Sequence, residues 1–83
     1  MQSKCTPEFW ECYGALPAKV QTLARKSFRL WQANPRHPSV RFRPHGNGQW
    51  SARIGDHSRA LADFDGQTYV WTWIGTHEEY NKF

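Results

Sequence analysis

The stretch WSARIGDHSRAL, residues Trp50 to Leu61, decides the fold, together with TYVWTWIG at Thr68 to Gly75. In the first, Trp50, Ala52 and Ile54 alternate with Ser51 and Arg53, the period-two pattern of a strand with one apolar face. Gly55-Asp56 permits a reversal, and Arg59 to Phe64 reads as the returning strand. Asp65-Gly66 is a short-hairpin signal, so Thr68 to Ile74 completes a meander. Strand parity puts Tyr69, Trp71 and Trp73 on one face of that last segment, with Val70 and Ile74 on the other. Gly75 then lets the chain turn into HEEYN.

Upstream, VRFR alternates in the same way, with Val40 and Phe42 opposite Arg41 and Arg43, and PHGNG follows as a turn. NPRHPS, with two prolines, ends a helix that starts at Pro17 and runs to about Gln32. Its apolar stripe is Val20, Leu23, Ala24, Phe28, Leu30 and Trp31. Lys19, Arg25, Lys26 and Arg29 make a wet side that reads as ordinary solvation. A shorter helix precedes it: Thr6 is placed to cap, Pro7 suits the first helical position, Glu8 suits the positive helix end, and Pro17 bars continuation. Residues 1 to 5 read as a short edge strand or a frayed terminus. The expected class is α+β, with two N-terminal helices packed on an antiparallel sheet of about four strands.

The 83 residues suffice for one hydrophobic core, so residues 1–83 are read as a single domain. At 39% hydrophobic and 16% aromatic, the chain is too apolar for a disordered tail. Eleven Lys plus Arg against seven Asp plus Glu leave a formal charge of +4, which suits a nucleic acid or another acidic surface. The sequence holds no apolar run approaching the ~20 residues that cross a bilayer and no signal-peptide pattern, which makes a cytoplasmic chain without a membrane partner the expectation. Cys5 and Cys12 are too few and too far apart for a structural zinc site and read as free thiols. No metal or cofactor is expected.

Parity lets Arg41, Arg43, Arg53 and Arg59 line one basic groove if the strands pair in sequential order. The same arginines also fit exposed strand positions that blunt sheet edges. The aromatics of TYVWTWIG read mainly as core. Near the C-terminus, His77, Glu78, Glu79, Tyr80 and Lys82 supply several proton-transfer groups, with Lys82 adding positive charge for RNA. HEEYN is not a zinc-protease helix, because Asn81 stands where the second histidine would be.

Two helices followed by NPRHPSVRF, WSARIGDHSRAL, DG and WTWIGTHEEY together resemble the RelE/ParE toxin superfamily, on the side of RelE-like toxins of bacterial toxin-antitoxin systems. The resemblance covers residues 6 to 83. It implies a microbial RNase-like fold, a cognate antitoxin that wraps the toxin, and operator DNA bound only through the toxin-antitoxin complex. The RNA-cutting members cleave messenger RNA on the ribosome without metal, whereas other members poison DNA gyrase. Carried over, the basic residues of the first central strand fall on Arg41 and Arg43, the phosphate-binding arginines on Arg53 and Arg59, and the C-terminal functional positions near His77 and Tyr80. The chain departs from the pattern in having Ser58 where Tyr is common and Ala62-Asp63 where Gly often follows RAL.

In such a reaction the RNA 2′-hydroxyl attacks the adjacent phosphorus, which DNA cannot match. Arg53 and Arg59 are the expected phosphate stabilisers and His77 the expected acid or base. Tyr80 is expected to position a base or shuttle a proton, since a free phenol, with a reference pKa near ~10, is a poor base at neutral pH.

Overall fold

A computed structural model describes residues 2–82. Its elements are β1 (Gln2–Cys5), α1 (Pro7–Gly14), α2 (Ala18–Ala33), β2 (Arg43–Gly46), β3 (Gln49–Ile54), β4 (Ser58–Phe64), β5 (Thr68–Thr76) and α3 (His77–Tyr80). The sheet has five strands in the order β1-β5-β4-β3-β2. β2 to β5 pair antiparallel, but β1 joins β5 in parallel, Gln2 opposite Thr68 and Cys5 opposite Trp71. The expected four-stranded antiparallel sheet thus becomes a mixed sheet of five. Met1, part of the expected edge segment, lies outside the described residues.

Local chemistry sets the helix ends. Thr6 Oγ accepts the Phe9 amide at 3.1 Å, and the Thr6 amide donates to the Trp71 carbonyl at 3.0 Å, so the cap of α1 is tied to the sheet. α2 starts after Pro17, which has no N–H to give a helix interior, and its C-cap Asn34 is extended as expected of a residue before proline.

Ala24 and Trp31 of α2 meet Ala52, Ile54, Ala60, Ala62, Trp71 and Ile74 of the sheet in the core. Trp31 is 2% exposed and makes edge contacts with Trp71, Phe42 and Tyr69 at centroid distances of 5.2, 5.4 and 5.5 Å. Such pairs add about 0.5–1.5 kcal/mol each beyond area burial. Among the described residues no helix is long and apolar enough to cross a membrane.

Three sequence expectations change. Leu61 pairs with Trp73 and Ala62 with Trp71, so Thr72 is an extra residue in β5. That bulge shifts the alternation by one: Trp71 and Ile74 both face the core, and Trp73 moves to the opposite face beside Leu61. Gly75 is not at a turn but inside β5, opposite Arg59. VRFR is not a strand either. Val40 is buried outside any strand and Arg41 has a φ of 46°, because the carbonyl of Val40 turns to accept the Arg53 amide at 2.6 Å. β2 begins only at Arg43 and is a sheet edge rather than a central strand.

Candidate functional site

Helices α1 and α2 cover one face of the sheet, and parity sends a different set of side chains to the other. Cross-strand partners share a face, which gives the rows Arg43, Ser51, Leu61, Trp73 and Arg53, Arg59, Gly75. Arg53 and Arg59 are therefore direct cross-strand neighbours of like charge. Arg53 is held by its own turn: its Nε donates to the Gly55 carbonyl at 2.9 Å and its Nη2 pairs with Asp56. Arg59 Nη1 donates to the Ser58 carbonyl at 3.0 Å.

The far wall is α3. Thr76 and Glu79 form a reciprocal capping box: Thr76 Oγ accepts the Glu79 amide at 3.1 Å, and Glu79 Oε1 accepts the Thr76 amide at 3.0 Å. Hydrogen bonds from Thr76 hold the Glu79 carboxyl below its usual range. The His77 amide donates to the His57 carbonyl at 2.7 Å, fixing the helix start against the β3–β4 turn. Tyr80 Oη lies 2.9 Å from His45 Nδ1, and the Tyr80 ring centroid is 5.0 Å from that of His45 and 6.1 Å from that of His77.

Between these walls lies a cleft of about 190 Å³, lined by Arg41, Arg43, Arg53 and Arg59, by Ser51, and by His77 and Tyr80. Part-burial, then the neighbouring Arg53 and Arg41, lower the Arg59 pKa, with Tyr80 partly opposing. Its guanidinium is short of solvent and crowded by like charge, a condition that a bound anion relieves. Four guanidinium groups and two proton-transfer side chains around one small space can hold a phosphate diester and act on its oxygens. Six of the seven residues singled out from the sequence converge here. Lys82 does not: it follows α3, and its amide bonds the Glu79 carbonyl at 3.1 Å. Among the described residues no three His, Cys, Asp or Glu side chains are placed to hold a metal ion.

A family model described as the ParE-like toxin domain matches residues 18–82. The chain belongs to the ParE-like toxin family. Among solved structures, the toxin resembles YafQ from Escherichia coli strain BL21(DE3), with a TM-score of 0.75 at 10% identity over 95% of this chain and 96% of that one. It resembles the RelB-RelE antitoxin-toxin complex from Methanococcus jannaschii with a TM-score of 0.73 at 12% identity, over 95% and 96% of the two chains. It also resembles the YoeB/ParE toxin from Agrobacterium tumefaciens with a TM-score of 0.69 at 20% identity, over 93% and 99%. No curated protein matches by sequence.

Sequence reasoning about the toxin missed two residues. Ser51 was legible by parity as a neighbour of the arginines, yet nothing in its chemistry marked it. His45 carried no signal, because PHGNG reads as a turn, whereas β2 runs to Gly46 and only Asn47-Gly48 turn.

Proposed function

We propose that this toxin is a metal-independent endoribonuclease acting on ribosome-bound messenger RNA, with residues 1–83 working as one toxin domain in the cytoplasm. The observation that carries the reading is the convergence of four arginines with His77 and Tyr80 on one phosphate-sized cleft. In the reaction, the 2′-oxygen attacks the adjacent phosphorus as its proton leaves to a base, and the 5′-oxygen departs with a proton from an acid. The products are a 2′,3′-cyclic phosphate and a free 5′-hydroxyl. Arg59 and Arg53 stabilise the charge that builds on the phosphoryl oxygens, and Arg53 trades its Asp56 partner for phosphate. His77 and Tyr80 serve the two proton transfers. Arg41, Arg43 and Lys82 bind flanking phosphates. The ribosome supplies the remaining alignment, which by itself is worth several kcal/mol in catalysis.

A cognate antitoxin belongs to the same reading, and the complex with it is the form that meets operator DNA. Structurally similar chains have been solved as RelB-RelE complexes from Methanococcus jannaschii and Pyrococcus horikoshii OT3. The toxin offers an apolar groove of about 390 Å³ between α1, α2 and the sheet, with Phe9, Trp10, Phe28 and Trp31 on its walls and Lys4 and Arg25 at its rim. Trp10 is 54% exposed there, and the buried indole N–H groups of Trp31 and Trp71 have no hydrogen-bond partner among the described residues. An antitoxin helix with an apolar face and acidic flanks fits this groove, and acidic antitoxin side chains fit the basic cleft.

The ParE-like description of the family favours a second target, DNA gyrase, which requires a basic surface but no acid-base pair. Mapping transcript 5′ ends after brief induction of the toxin and its Arg59→Ala variant separates the two. New ends inside translated codons that vanish in the variant, with matched melting curves, support the nuclease reading. Undiminished cleavage by Arg59→Ala overturns the role of Arg59, and growth arrest without new ends points to gyrase.

A further inference from the structure

His45 lies in no motif and does not line the cleft, yet the fold takes trouble to aim it. Pro44 pairs with Trp50 and Gly46 with Gln49, so His45 is the extra residue of a β-bulge in β2. A bulge frees one residue from strand alternation and redirects its side chain. The turn that follows bends sharply, with φ of 97° at Gly46, 52° at Asn47 and 77° at Gly48. The redirected imidazole is half-buried and meets Tyr80 of α3, 35 residues away in sequence, through the 2.9 Å contact between Nδ1 and Oη. Tyr80 itself faces the cleft.

We infer that His45 is a positioning residue that acts through Tyr80 as a proton relay for the 2′-hydroxyl. The inference rests on the nuclease reading above. A phenol carries one proton and two lone pairs. When that proton is donated to His45 Nδ1, with His45 in the tautomer protonated at Nε2, the lone pairs of Tyr80 Oη are left for the cleft. A ribose 2′-hydroxyl in the cleft then gives its proton to Tyr80 Oη as the Tyr80 proton passes to His45 Nδ1. The 2′-oxygen bonds to phosphorus, the bond from phosphorus to the 5′-oxygen breaks, and His77 in its imidazolium form protonates that oxygen. One proton has entered at His45 and one has left from His77, so the charge balances. The relay answers the difficulty of a phenol acting as base, because tyrosinate never has to form as a free species. Arg41, Arg43, Arg53 and Arg59, which line the cleft with Tyr80, and His77, 6.1 Å from the Tyr80 ring, are the charged and titratable groups of the cleft around the pair.

The test is single-turnover cleavage of a messenger on programmed ribosomes by the wild type, His45→Ala, His45→Asn, Tyr80→Phe and the His45→Ala/Tyr80→Phe double variant. Asparagine places an amide oxygen near the Nδ1 position and keeps the hydrogen bond, but it cannot carry a proton. Affinity is read separately on a messenger with a 2′-deoxy nucleotide at the cut site, and folding by melting temperature. The relay requires a loss of about 100-fold or more in rate for all three single variants, with affinity kept. It also requires no further loss in the double variant, because the two residues act as one unit. Wild-type rates in His45→Asn would reduce His45 to a structural prop and overturn the relay, as would additive losses in the double variant. Cleavage by the wild type with full activity in His45→Ala overturns this inference alone, whereas no cleavage by the wild type overturns the nuclease reading and the relay with it.

Discussion

Gly75→Ala tests how the sheet and α3 are joined. Gly75 is buried in β5, and its backbone is not in the left-handed region, so strand geometry alone would welcome alanine. Removing a glycine from an unfolded chain is worth about 0.4–1 kcal/mol of stability where the native backbone permits it. Here the added Cβ would stand 2.4 Å from Trp73 Cζ2, 2.9 Å from Trp73 Cη2 and 3.0 Å from Glu79 Oε1. The indole ring must move by roughly 1 Å to restore van der Waals distance, and overpacking of this kind costs about 1–3 kcal/mol. At mid-range values the clash outweighs the entropy gain by about 1.3 kcal/mol, a fall in Tm of about 5–10 °C at ~4–8 °C per kcal/mol for a domain of this size. Thermal unfolding followed by circular dichroism reads it directly. Trp73→Phe, which lacks the outer indole atoms, should make the same glycine change cost less, so a double-mutant cycle shows coupling of at least about 0.5 kcal/mol. A Gly75→Ala Tm at or above the wild-type value, or strict additivity with Trp73→Phe, refutes the reasoning.

Other expectations follow from the site. Thr76→Ala removes the cap of α3, worth about 0.5–2 kcal/mol locally. Because α3 buries none of its residues, the global Tm should barely move, while hydrogen exchange across 77–80 quickens and RNA cleavage falls with the placement of His77 and Tyr80. Asp65 and Glu79 are both held below their usual carboxylate range by hydrogen bonds, Asp65 mainly from the Thr68 and Gln67 amides and Glu79 from Thr76. Depressed folded-state values mean that their stabilisation is complete above the ordinary range near pH ~4 and is lost as pH falls through the folded-state values. Asp65→Asn should therefore flatten the acid limb of Tm and leave its pH dependence above pH ~6 unchanged, whereas Glu79→Gln, acting within α3, should flatten the acid dependence of hydrogen exchange across 77–80 and leave Tm almost unmoved. If the four cleft arginines and Lys82 each neutralise one phosphate, the slope of log affinity against log salt for single-stranded RNA is at most about 3.5 in magnitude. Arg41→Ala should lower it by about 0.7, and an unchanged slope places Arg41 off the strand.

Much of this protein is written locally. Thr6 and Pro7 specify the start of α1, the stripe ending at Trp31 specifies the buried side of α2, and Asp65-Gly66 specifies the hairpin between β4 and β5. β3 and the start of β4 keep strict alternation, so the facing of Arg53 and Arg59 away from Ala52, Ile54 and Ala60 follows from parity alone. These features depend on neighbours within a few residues, where capping, proline geometry and period-two facing act regardless of the rest of the chain.

Long-range pairing decided the remainder. β1 is parallel to a strand more than sixty residues later, a partner that no local pattern in Gln2 to Cys5 names. The bulges at Thr72 and His45 each add one residue to a strand, and one residue is half a period. Trp73 thereby leaves the core face, and His45 is turned from an apparent loop residue into the partner of Tyr80. Arg41 reaches the cleft through a left-handed backbone, imposed when the Val40 carbonyl turns to the Arg53 amide. The sequence by itself determined which residue types were available for a phosphate site and the facing of the two central arginines. Only the tertiary structure placed His45, Tyr80 and Arg41, because the phase of a strand past a bulge depends on the strand beside it.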